Sequence, residues 1–250
     1  MKGELVTPGR LLALGALFGS LLFANPVAAE EGWGVDLQVY GWLPTLETKS
    51  SGQDNEISRQ DVIENLDMAL MAAVRARKGK WSLVSDFIYF DLEDDDGQPV
   101  FLGTDLGKLE VEAWVITPNI GYTVYADDKQ HVDLYAGARY IWLEVNLDFD
   151  FSAPLPPGSR KDSDSAKNWD AIVGVRGEYA LSDKWYFPYS INGGAGQSDS
   201  TWGARAGLGY RFNTFDAFLG WRYLTWDFGN DKSPEDLTVN GPMFGAIFHW

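Results

Sequence analysis

Between Trp202 and Phe212 every second residue is apolar (Trp202, Ala204, Ala206, Leu208, Tyr210, Phe212), and the residues between them are Gly203, Arg205, Gly207, Gly209 and Arg211. A period of two marks a strand with one apolar and one polar face. Two nearby stretches repeat it. Trp169, Ala171, Val173, Val175 and Tyr179 oppose Asp170, Gly174, Arg176 and Glu178, and Phe215, Ala217, Leu219, Trp221 and Tyr223 oppose Asp216, Gly220 and Arg222. Any half-buried strand alternates in this way, so the positions of the aromatics decide the setting. Trp169 and Tyr179 stand ten residues apart, as do Trp202 and Phe212. At about 3.3 Å per residue and a tilt of about 40°, that spacing rises roughly 25 Å, the height of the apolar band between the aromatic girdles of a membrane barrel. A soluble sandwich or binding barrel places such residues in mid-strand, inside its core.

The N-terminus is read as an export signal. Lys2 and Arg10 flank a basic region, residues 11–24 are apolar, and Val27, Ala28 and Ala29 are small. The apolar run is too short for a ~20-residue membrane helix and is broken by Asn25 and Pro26, so residues 1–29 are expected to be a cleaved signal peptide and 30–250 one domain. No later run reaches the length of a membrane helix, so a membrane setting requires a closed β-barrel, whose backbone satisfies its own hydrogen bonds. Cysteine is absent, which excludes disulfides and thiolate metal sites. A net charge of −16 disfavours nucleic acid as a partner. The 11 Trp, 11 Tyr and 14 Phe, in alternating positions, exclude a disordered acidic chain.

Strands are read near 33–48, 66–78, 80–92, 108–124, 130–147, 167–181, 184–196, 200–213, 215–227 and 238–250. Short and longer connections alternate between them, as in a barrel with tight periplasmic turns and longer external loops. The fold expected is all-β, a single antiparallel up-and-down transmembrane β-barrel of ten strands, with eight or twelve as the alternative even counts. Trp33, Trp81, Tyr179, Trp185, Phe212, Phe215 and Trp250 are assigned to the periplasmic girdle, and Trp142, Trp169, Trp202 and Tyr223 to the outer one. Pro118 cannot donate to a ladder, so a bulge or parity shift is expected there. The stretch 81–92 is apolar on both parities and fits neither face. Ser58 to Leu66 reads as a short helix in the first outer loop, with Val62, Ile63 and Leu66 on one stripe.

The stretch 239–250 carries Phe244, Phe248 and Trp250 on one parity, with Met243, Gly245, Ile247 and His249 on the other. A strand with aromatics on alternate positions and an aromatic last residue resembles the terminal signature of Gram-negative outer-membrane β-barrels. The stretch 64–90, ENLDMALMAAVRARKGKWSLVSDFIYF, is similar to one found in proteobacterial outer-membrane proteins and brings no activity with it. The resemblance implies a small barrel in the cell outer membrane, expected to be a monomer. Its neighbours would be outer-membrane lipid and lipopolysaccharide, and Phe244, Phe248 and Trp250 would form the closing strand read by the barrel-assembly machinery.

The inward parity collects Arg75, Arg77, Arg139, Arg176, Arg205 and Arg222, with Asp36, Asp86, Glu110, Glu112, Asp133, Glu178 and Asp216 as partners. In a barrel barely wider than the side-chain-filled eight-stranded case, such charges must pair. They are therefore read as a network that fills the lumen of a structural or surface-interaction protein. A narrow pore for ions or small solutes is the alternative, and inward glycines at 137, 174, 203, 207, 209 and 220 leave room for it. An outer-leaflet barrel enzyme and, with the parity inverted, a soluble periplasmic ligand-binding barrel are the further alternatives. The strand count resembles that of the omptin proteases, but His131 and His249 both map to inner strand ends rather than to the outer mouth where omptins place their site. No nucleophile elbow, phosphate loop, metal cluster or cofactor motif is present, so no catalytic, metal or cofactor residue is assigned. The acidic run 93–97 departs from a calcium loop at its first position, Leu92, and is read as a solvated loop.

Overall fold

The computed structural model describes residues 32–50, 53–94, 109–151, 158–229 and 234–250. The expected signal peptide and most of the 93–97 acidic run lie outside these residues. The elements are β1 (Trp33–Trp42), β2 (Thr45–Ser50), β3 (Gln53–Ile57), α1 (Arg59–Glu64), β4 (Leu66–Lys78), β5 (Trp81–Asp94), β6 (Leu109–Ala126), β7 (Gln130–Phe151), β8 (Gly158–Ala180), β9 (Trp185–Gly196), β10 (Ser200–Arg211), β11 (Asp216–Asp227) and β12 (Asp236–His249). From β4 to β12 each strand pairs antiparallel with the next, and β1 pairs with both β4 and β12, which closes the sheet. After a break at Leu43 and Pro44, β2 continues along β12, so β1 and β2 together form one of ten staves. Reciprocal backbone bonds between Val35 and Trp250, of 3.0 and 2.8 Å, extend the closure past β12.

Facing follows the alternation. Val173, Leu219, Ile191 and Leu208 are exposed on the outer surface of the sheet. Trp33, Trp81, Tyr179, Trp185, Phe212 and Trp250 are exposed at the end with the tight turns, and Trp169, Trp202 and Tyr223 at the other. The turns have local causes. Gly79 turns the β4–β5 hairpin at a φ of +58°, in the left-handed region that favours glycine. Asp127 accepts from the N–H groups of Lys129 and Gln130 at 2.8 and 2.7 Å, and from the Tyr125 hydroxyl at 2.6 Å. Those donors, the Tyr125 hydroxyl first, hold its carboxyl below the usual range.

Pro118 shifts nothing. It pairs with Ser85 in an unbroken β5–β6 register, and Ile116↔Tyr140 and Asn119↔Gly137 keep one β6–β7 register on either side of it. Its missing N–H interrupts that ladder without displacing it, and the irregularity lies instead between Thr123 and Tyr125. Gly137 sits beneath the Pro118 carbonyl, where a Cβ would fall 2.2 Å from the oxygen.

Two features break the cylinder. The β1–β4 ladder stops at Val39↔Ala72, leaving the outer part of β4 without a partner on that side among the described residues, and the β2–β3 hairpin and α1 occupy this part of the chain. Ser58 and Asp61 form a capping box that starts α1, the helix expected in this loop. Arg59 fastens it: Leu43 donates its N–H to the Pro242 carbonyl, proline has no N–H to return, and the Arg59 Nε donates to the Leu43 carbonyl at 2.8 Å. The same guanidinium lies 5.5 Å from the Trp221 ring. Second, β7 and β8 continue as a hairpin to Phe151↔Gly158, whereas β8 pairs with β9 only as far as Asp170↔Gly196. From Trp169 to Gly158 this is roughly 35 Å of strand at about 3.3 Å per residue.

Candidate functional site

The interior is layered along the barrel axis. Toward the short-turn end, Asp36 binds Arg77 at 3.1 Å and His249 Nδ1 at 2.8 Å, with Arg75 at 3.9 Å. His249 Nε2 reaches Asp216 at 3.3 Å, so one imidazole bridges carboxylates of β1 and β11. Asp133, almost wholly buried, receives Arg176 Nε at 3.2 Å, Thr123 Oγ1 at 2.8 Å and Ser82 Oγ at 3.2 Å, with His131 Nε2 at 2.8 Å. Glu178 pairs with Arg211, whose guanidinium stacks 4.7 Å from the Tyr186 ring. At mid-height Arg222 donates to Asp86 at 2.7 Å and to the Tyr40 hydroxyl at 2.8 Å, and that hydroxyl donates to Asp86 at 2.5 Å. Arg139 is held by Thr201 at 2.8 Å and Asn192 at 2.5 Å and lies 5.6 Å from the Trp226 ring.

Beyond that level most of the lumen is apolar, the exception being a buried polar group on the β8–β9 side, where Asp170 accepts from Asn168 Nδ2 at 2.6 Å and from the Ser198 N–H at 3.0 Å. Met71, Ile88, Leu92, Val111, Val115, Ile141, Leu224, Trp226, Leu237, Val239 and Met243 form one buried cluster with Tyr40 and Trp42, and Leu46, Ile57 and Val62 from the β2–β3–α1 segment join it. Trp226 and Ile88 are each 1% exposed. This layer explains why the stretch 81–92 is apolar on both faces: Leu83 is exposed on the outer face and Phe87 and Tyr89, on the same parity, pack against Trp114, while Ile88 and Leu92 enter the cluster and Ser82, Val84 and Asp86 meet the polar half.

The structure brings Arg75, Arg77, Arg139, Arg176, Arg205, Arg222, Asp133, Glu178 and Asp216 into the lumen, but not Glu110 or Glu112. In β6 the inward parity is Val111, Ala113 and Val115, and Glu112 lies on the outer face, accepting from Trp114 Nε1 at 2.9 Å. The expected inward placement of these acids as partners of the arginines does not hold, because the wall of the lumen at their height is lined by Val111, Val115 and Ile141. Arg211, His131 and His249, absent from the expected set, belong to the network. Their inward parity, shared with Arg205, Asp133 and Ile247, was the available signal. Three of the inward glycines hold neighbouring side chains rather than open space: the Tyr186 ring lies over Gly209, Tyr135 and Asn192 over Gly174, and Arg139 and Asn192 over Gly203. Gly207 and Gly220 do border open space.

A cavity of about 80 Å³ remains in the inner half, between Arg75, Arg176 and Arg205, the carboxylates of Asp133 and Glu178 that pair with Arg176 and Arg211, and the apolar Phe218, Met243 and Ile247. A smaller void of about 50 Å³ adjoins it across Arg176 and Arg205 and reaches Arg139 and Thr117.

With closed sheet, outward girdles and filled lumen in place, the comparisons are decisive for family. Residues 14–223 match the model of the outer membrane protein beta-barrel domain. The chain belongs to this family. It is accordingly a protein of the cell outer membrane, which sets aside the soluble alternative. No curated protein matches it. Among solved structures it is similar to the outer membrane protease OmpT of Escherichia coli, at 8% identity and a TM-score of 0.50 over 89% of this chain and 97% of that one. The translocator domain of the autotransporter NalP of Neisseria meningitidis matches at 14% identity and a TM-score of 0.40, over 98% of this chain and 99% of that one. The toluene transporter TodX of Pseudomonas putida matches at 9% identity and a TM-score of 0.40, over 92% of each chain. At such identities the OmpT likeness concerns the fold alone.

Proposed function

We propose that this outer-membrane barrel is sealed to solutes and serves at the cell surface as a structural or interaction scaffold. The observation that carries the reading is the apolar cluster across the outer half of the lumen, from Trp42 on one wall to Ile141 on the other. An ion crossing it would shed its water against Ile88, Leu224 and Trp226, which costs far more than passage through a hydrated pore. The long β7–β8 hairpin supports a surface role, since it projects backbone well past the outer aromatic ring. Outer-membrane lipid and lipopolysaccharide are then the surroundings of the exposed apolar face, and Phe244, Phe248 and Trp250 the strand that the assembly machinery reads. Liposome swelling tests the reading: vesicles carrying the folded protein should swell in arabinose no faster than protein-free vesicles. Rapid swelling would favour the narrow pore instead.

A further inference from the structure

We propose that the inner half of the lumen is a binding site for a small organic anion, a carboxylate on a compact apolar body, entering from the short-turn end. Arg176, Ser190, Arg205 and Arg222 are consecutive cross-strand partners on β8, β9, β10 and β11. Directly opposed side chains in a ladder stand about 5 Å apart at Cβ, where like charges repel. Arg222 is compensated by Asp86 and Arg176 by Asp133. Arg205 has no hydrogen bond and no carboxylate within ion-pair distance among the described residues; its charge is felt at longer range by Asp86 and Tyr40 as well as by Arg75 and Arg176. It is half-buried and lines both cavities. Among the described residues it is thus an inward guanidinium without a direct partner, facing open space.

The space has the shape of the missing partner. Its volume of about 80 Å³ has room for about three waters, or for one anion of a few carbons, and is well below the roughly 150 Å³ that takes a benzene ring. A carboxylate against Arg205 would gain a charge-assisted, bidentate partner. Phe218, Met243 and Ile247 line the same cavity and offer an apolar body its contacts, which a bare inorganic anion would not use. The adjoining void contains a second sign of an absent polar group, since Thr117 Oγ1 and Arg139 Nε are buried without a partner among the described residues. The site is blind at its outer end if the lumen is sealed as proposed above, so that reading makes it a binding chamber rather than a stage of a pore.

Titration calorimetry of the folded protein in a non-ionic detergent, with propionate as probe, tests the site. Saturable binding is expected, at least tenfold weaker for 1-propanol, which keeps the apolar body and loses the charge. Formate and inorganic phosphate, which lack the apolar body, should likewise bind at least tenfold more weakly. Arg205→Ala should weaken propionate at least tenfold while the band remains heat-modifiable, and Arg205→Lys should retain part of the affinity. Absence of saturable binding, equal binding of 1-propanol, or an unchanged Arg205→Ala would overturn the proposal. Phosphate binding as tightly as propionate would overturn the apolar half of it. Conductance separates this proposal from the sealed-barrel reading: a conducting barrel blocked by propionate through Arg205 keeps the site and refutes the seal, and a silent barrel without binding does the reverse.

Discussion

Charge inside the barrel is not uniform in its consequences. Asp86 and Arg222 satisfy each other and Tyr40 in a buried triad, so removing one member strands the other. Arg222→Met is expected to cost about 3–5 kcal/mol, the range for breaking a buried pair, read as a lowered urea midpoint of the heat-modifiable form. Arg205→Ala should leave that midpoint unchanged or raise it slightly, because Arg205 has neighbouring cations and no ion pair among the described residues. The outer face obeys the opposite rule. Val173 is 66% exposed toward lipid, and Val173→Arg should cost about 2–4 kcal/mol by the same measurement. Equal midpoints for Arg205→Ala and Arg222→Met would contradict the distinction drawn between them.

At the scale of elements, the seam and the closing strand are the sensitive places. The Leu43 carbonyl depends on Arg59 because Pro242 cannot donate to it. Arg59→Ala should therefore cost about 1–3 kcal/mol of local stability, seen as faster hydrogen exchange in 58–66, and adding Pro242→Ala should restore part of it by supplying an N–H. No rescue in the double variant would refute the account of that seam. On β12, Phe248→Asp is expected to lower outer-membrane levels sharply, because the ring lies on the lipid parity of the closing strand beside Phe215. Much of this was legible in the chain: period two gave the strands and their facing, and ten-residue aromatic spacing gave the membrane. Period two cannot show that a lumen changes character halfway along. Hence 81–92 fits neither face by parity, Glu110 and Glu112 read as inward partners of the arginines, and the apolar cluster leaves no mark in the alternation. Gly174 and Gly209 looked like room because a sequence does not show which neighbouring ring crosses a missing Cβ.

Taken whole, the molecule is a ten-stave barrel with a polar inner chamber, a largely apolar outer half and one tall hairpin. The proposed seal rests on the apolar layer more than on the salt bridges. Thinning the layer should reveal this: Trp226 is 1% exposed and lies against Arg139, so Trp226→Gly opens space at the junction of the two halves. That truncation should also cost about 3–5 kcal/mol, as large aromatic deletions from a packed core do. The direct measurement is planar-bilayer recording of the refolded, heat-modifiable protein in symmetric potassium chloride. The account predicts no unitary conductance for the native chain and discrete openings for a folded Trp226→Gly variant; a stable, reproducible unit conductance from the native chain would contradict it.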